Sequence, residues 1–110
     1  MTPQGPALIW CLFGDEASAA EIAGRLLDEG LIGCANILPR IRSLYVWRGA
    51  RHDSAESAAL FKTDAALLGR ATARIAELHP YDSPAVLGWR TDAAPAAATA
   101  WLAELAEAAR

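Results

Sequence analysis

Residues 7–13, ALIWCLF, are apolar without interruption, whereas a strand wet on one face would alternate. The run predicts a first strand, Ala7–Phe13, buried on both faces or placed at a subunit interface. Gly14-Asp15-Glu16 then turns the chain. Ser18 has capping-box spacing to Glu21, and Asp15 competes with it as the N-cap of a helix. Ala19, Ile22, Ala23, Leu26 and Leu27 form one apolar face of that helix, and Gly30 stands where a left-handed residue closes it.

The next segment, LIGCANILPRIRSLYVWRG, is long for one strand, and Pro39, which has no N–H for a central ladder, predicts a break or bulge. After it, Ile41, Ser43, Tyr45 and Trp47 share one face and Arg42, Leu44, Val46 and Arg48 the other. Residues 49–54 read as a polar hairpin tip, and Glu56–Thr63 as the returning strand. Hairpin strands this long and two-faced are hard to bury within one small subunit, which predicts an oligomer. Asp64 suits the N-cap of a second helix with Leu68, Ala71, Ile75 and Leu78 as its buried stripe, and Pro80 stops it. Ala85–Arg90 predicts another strand. Pro95 opens an alanine-rich third helix anchored by Trp101, Leu102 and Leu105. The order β-α-β-β-α-β-α is an α+β, ferredoxin-like plan with an extra C-terminal helix. It fills one domain, residues 1–110.

Composition narrows the function. A chain of 110 residues, 54% hydrophobic, builds one core and is not disordered. A net charge of −3 argues against general nucleic-acid binding, although Arg40, Arg42, Arg48 and Arg51 crowd the hairpin. No run approaches the ~20 apolar residues that span a bilayer, and the N-terminal run lacks the basic flank of a leader, so a cytoplasmic protein is expected. There the two cysteines, Cys11 and Cys34, are expected as free thiols. No G-x-S-x-G, phosphate-binding glycine loop or H-E-x-x-H is present, and no catalysis is expected. The stretch HPYDSP at 79–84 is the most unusual: six residues hold two of the six prolines, one of two histidines and one of two tyrosines. His79 lies at a helix C-terminus, where it can satisfy the final carbonyls.

Taken in order, C-L-F-G-D-E at 11–16, L-I-G-C-A-N-I-L-P at 31–39, R-S-L-Y-V-W-R-G at 42–49, Glu56, K-T at 62–63 and H-P-Y-D-S-P at 79–84 resemble the CutA divalent-cation-tolerance family. The similarity runs from about Leu8 to Trp101. The chain departs from the family pattern at Arg40, where glycine is usual, and at Ala85, where an acidic residue is usual. It also lacks the usual aromatic residue a turn before Trp101. The resemblance implies a compact homotrimer and a role in copper or other divalent-metal tolerance. It implies metal ligands at Cys11, Cys34 and His79, and a ligand cleft near Trp47, Glu56, Lys62, Thr63 and Tyr81. No organic cofactor is implied. Thiolate and imidazole suit copper or zinc, yet buried cysteine is also an ordinary core residue, and in this plan the third strand lies between the first two. Lys62, the only lysine, can hold an anionic or planar ligand near aromatic faces or pair with an interface carboxylate. Glu56 lies about 20 Å from it along the same strand. The alternative function is a trimeric small-molecule sensor of the PII type, which shares the fold plan.

Overall fold

The computed structural model describes residues 5–109. Residues 1–4 and 110, the ends of the expected domain, lie outside the described residues. The elements run β1 (Pro6–Phe13), α1 (Glu16–Asp28), β2 (Cys34–Trp47), β3 (Ala50–Asp64), α2 (Leu68–Leu78), β4 (Leu87–Arg90) and α3 (Ala96–Ala108). One antiparallel sheet has the order β2-β3-β1-β4, the ferredoxin-like arrangement expected from the element order.

Local chemistry accounts for the ends of α1. Asp15 wins the competition for its N-cap, accepting a 2.7 Å hydrogen bond from the Ser18 N–H. At the other end Gly30 adopts φ +72°, and the N–H groups of Gly30 and Leu31 donate to the Leu27 and Leu26 carbonyls at 3.1 and 3.0 Å. This closure satisfies two final carbonyls and sets the buried Leu31 near the buried Leu26. At α2 the outcome differs slightly from expectation. Asp64 caps a short 3-10 turn at Ala65–Leu67 through the Ala66 N–H, and the α-helix begins only at Leu68.

The β2–β3 hairpin is longer and tighter than the pattern predicted. Residues 50–54 are strand rather than loop, and the turn is only Arg48-Gly49, with φ +51° and +79° between the paired Trp47 and Ala50. Two successive positive φ values define the turn that matches the strands' natural twist. The break expected at Pro39 is a one-residue bulge: Leu38 faces Ala58, but Ile41 already faces Glu56. Arg40, where the family usually has glycine, takes φ +56° within that bulge. A side chain is therefore held in a conformation that glycine adopts without steric cost. β4 is also shorter than expected, with Ala85 and Val86 outside it.

The core lies on one side of the sheet. Ile9, Cys11 and Phe13 of β1 and Ala59 and Phe61 of β3 pack under Ala19, Ile22, Ala23 and Leu26 of α1 and Ala71 and Ile75 of α2. The other side, carrying Leu8, Trp10 and Leu12, is only half-buried, so the uninterrupted apolarity of β1 is not used up inside one chain. α3 lies against β1 and β3, with Leu102, Trp101 and Leu105 over Gly33. The hairpin arm makes the molecule long, 43 × 27 × 22 Å, with a radius of gyration of 14.6 Å, against about 13 Å for a compact chain of this length.

The contact of α2 with β4 depends on Gly88. A Cβ there would lie 2.8 Å from Leu68 Cδ1, 3.1 Å from Thr72 Cγ2 and 3.5 Å from Ile9 Cγ1. Gly88→Ala is expected to cost about 1–3 kcal/mol by overpacking. Urea unfolding measures it, and an unchanged midpoint would contradict this packing.

Candidate functional site

The HPYDSP segment ties the end of α2 to the sheet. His79 is the C-cap of α2, with its N–H on the Ile75 carbonyl at 2.9 Å, and Pro80 offers no N–H to continue the helix. Its ring does not turn back to the helix carbonyls, as position alone suggested. The ring stacks on Phe13 at 4.7 Å and 16°, and Nε2 lies 2.8 Å from the Leu12 carbonyl. Nδ1 accepts the Tyr81 N–H at 3.1 Å, which assigns the ring proton to Nε2 and makes Leu12 its acceptor. Both nitrogens are thus engaged in a side chain only 7% exposed. Metal ligation at either nitrogen would require breaking one of these bonds.

Two residues farther on, Tyr81 donates its hydroxyl to Glu56 Oε2 at 2.9 Å, and its ring lies 4.6 Å from that of His79. Its path passes the end of β1, where a Cβ on Gly14 would sit 3.5 Å from the Tyr81 hydroxyl. Burial, followed by the hydrogen bond and charge of Glu56, pushes the Tyr81 phenol up to about 12. Burial and then the same carboxylate push the Cys11 thiol up to about 12. A thiol so protonated is a poor nucleophile and a poor metal ligand.

The three residues implied as metal ligands do not meet within one chain. Cys11 faces Ala59 across β1–β3, whereas Cys34 faces Lys62 across β2–β3. The odd and even positions of β3 project to opposite faces. Cys11 therefore points into the helical core, and Cys34 lies on the open face, with β3 between their strands. Among the described residues no group of three or more His, Cys, Asp or Glu side chains is arranged to hold a metal ion. The residues present do not fit the implied intrachain metal site.

The implied cleft is likewise divided. Glu56 and Tyr81 are joined, but Thr63 is fully buried, its hydroxyl donating to the Leu31 carbonyl at 2.7 Å. Lys62 is six residues from Glu56, about 20 Å along the strand. Trp47 sits at the hairpin tip, with the Arg48 guanidinium 5.4 Å from its ring centroid. Three residues on the Glu56 side of the hairpin arm were absent from the sequence-derived set: Ser43, Tyr45 and His52. The period-two pattern already places Ser43 and Tyr45 together; the register that sets His52 against Tyr45 depends on the two-residue turn.

The chain matches the family model described as CutA1 divalent ion tolerance protein over residues 7–105. The divalent-cation tolerance protein CutA of Pyrococcus horikoshii is 39% identical over 80 residues, covering 73% of this chain and 78% of that protein. Its counterpart in Thermotoga maritima is 34% identical over 97 residues, covering 88% and 95%. The crystal structure of divalent ion tolerance protein CutA1 from Ehrlichia chaffeensis matches with a TM-score of 0.87 and 32% identity, over 93% of this chain and 95% of that one.

The raised thiol and phenol predict a pH dependence. A group whose folded value is raised favours the fold below its ordinary value and loses that contribution as pH climbs through the folded value. For Cys11 that window runs from 9.0 to about 12, and for Tyr81 from 10.0 to about 12. Thermal stability is expected to fall progressively above pH 9, and Cys11→Ala to remove the lower part of that fall. A melting temperature unchanged between pH 8 and 11 would contradict the burial of these groups.

Proposed function

Because this chain belongs to the CutA1 divalent ion tolerance family, we propose that it acts in divalent-cation tolerance as a homotrimer whose subunits cover one another's open sheet face. The family match carries the tolerance role. The uncovered face supports the assembly. Register places Leu87 and Trp89 of β4 beside Trp10 and Leu8 of β1, and Leu60 and Leu38 continue that side on β3 and β2. Leu87 remains 60% exposed, Trp89 46% and Leu38 42%. Soluble monomers seldom leave so much contiguous apolar surface to water, and β2 and β4 are both edge strands with backbone groups free to pair. Three is the number that the family resemblance implies.

The proposed contact with metal follows from the split of the ligand set. Cys11 is sealed in the core and His79 is engaged at both nitrogens, which leaves Cys34 as the accessible soft donor. Its thiol lies 3.6 Å from Asn36 Oδ1 on the open face. Copper or another thiophilic divalent metal therefore meets the protein at Cys34, and several copies of that thiol can contribute only across subunits.

The test is growth of a host lacking its own copy of the gene in graded copper(II). The wild-type chain is expected to restore growth, Cys34→Ser to restore it less, and Leu87→Asp, benign in an isolated subunit, to fail through loss of assembly. Full restoration by both variants would overturn the reading.

A further inference from the structure

Beyond the bulge the arm carries a face that packing within the chain does not use up. Ile41 pairs with Glu56, Ser43 with Ser54 and Tyr45 with His52, and facing residues on neighbouring strands project to the same side. Tyr45 and His52 stack at 5.0 Å and 14°. Tyr81 reaches this face through its 2.9 Å hydrogen bond to Glu56 Oε2. Between the two aromatic groups, Ser43 is 9% exposed, and its Oγ has no hydrogen-bond partner among the described residues. A buried hydroxyl left without a partner destabilises the fold unless something else meets it.

Glu56 is the second incomplete group. It is half-buried, yet the ion pairs among the described residues join Arg42 to Asp53, Arg74 to Glu29 and Glu77, and Arg25 to Glu29. Glu56 is in none of them. Tyr81 donates to its Oε2, and no hydrogen bond among the described residues reaches Oε1. Its negative charge is felt nearby, since it helps keep both Cys11 and Tyr81 protonated. A partly desolvated carboxylate is stabilised by a cation that also donates hydrogen bonds.

We propose that Ser43, Tyr45, Glu56 and Tyr81 form a receptor for a hydrogen-bond-donating organic cation, a primary ammonium or a guanidinium group. Its N–H groups meet Glu56 Oε1 and Ser43 Oγ, while the tyrosine rings present their negative faces to its charge. Tyr81 keeps its bond to Oε2 and orients the carboxylate. An anion is repelled by Glu56. A bare hard dication requires several oxygen ligands, where this face offers one carboxylate. The same chemistry is available from a free amine or from a lysine or arginine of a second copy of the chain. The site goes beyond the tolerance role and does not rest on it.

The test uses the full chain, labelled with nitrogen-15 and titrated with methylguanidinium, ethylammonium and tetramethylammonium chlorides. Saturable shifts of the Ser43, Tyr45 and Glu56 amides are expected with the first two. Tetramethylammonium, which has no N–H, is expected to bind at least about tenfold more weakly. Glu56→Gln should weaken binding about tenfold or more, and Ser43→Ala about threefold. If a second copy supplies the cation, the added cations do not bind, and Glu56→Gln instead dissociates the assembly in sedimentation at concentrations where the wild type stays associated. Binding that Glu56→Gln leaves unchanged overturns the proposal. So does an absence of binding together with an unaltered assembly. A wild-type monomer that still binds methylguanidinium keeps the site and sinks the trimer.

Discussion

A four-stranded sheet has two faces, and in this chain α1 and α2 roof only one of them. That constraint governs the rest. The roofed side takes Ala7, Ile9, Cys11 and Phe13 fully out of water, leaving Leu8, Trp10 and Leu12 to face the other way. A helix over the whole open side would complete a monomer, but α3 packs chiefly against β1 and β3. Burying a large apolar side chain is worth about 1.5–3 kcal/mol. Several such side chains left half-wet are a substantial fraction of the 5–15 kcal/mol by which a typical domain is stable. The deficit is made good if a second copy covers the face.

The bulge at Pro39-Arg40 links this sheet to the candidate site. Because one extra residue is inserted, the odd positions after the bulge join the face that the even positions occupied before it. Cys34 and Leu38 thus share a side with Ser43 and Tyr45 through their partners Lys62, Ala58, Ser54 and His52. His79 supplies the second link. Stacked on Phe13 and bonded to the Leu12 carbonyl, it fixes where the chain leaves α2. That in turn sets Tyr81 against Glu56. His79 is a post that positions its neighbours, and its engaged nitrogens explain why a conspicuous histidine need not be a ligand.

The element order is readable from the sequence because periodicity and punctuation agree: Asp15 and Gly30 bound one helix, Pro80 ends another, and Pro39 breaks the long strand. The hairpin tip is misread because His52, Asp53 and Ser54 look like loop residues, while the turn that forms, Arg48-Gly49, has only one glycine to announce its two positive φ values. Side-chain period alone cannot fix register, which the turn decides. The same gap explains the site. Glu56 and Tyr81 are 25 residues apart, and only the path around Gly14 brings them together. Motif resemblance names Cys11, Cys34 and His79 as a set, but face parity across β3 separates the two thiols, and no spacing in the sequence shows where His79 turns its ring.

The central claim is that the open face is covered by further copies of the chain. Sedimentation equilibrium of the reduced protein at micromolar concentration tests it most directly. The account predicts a single species of about three times the 11.7 kDa chain mass. A stable species of 11.7 kDa would contradict it.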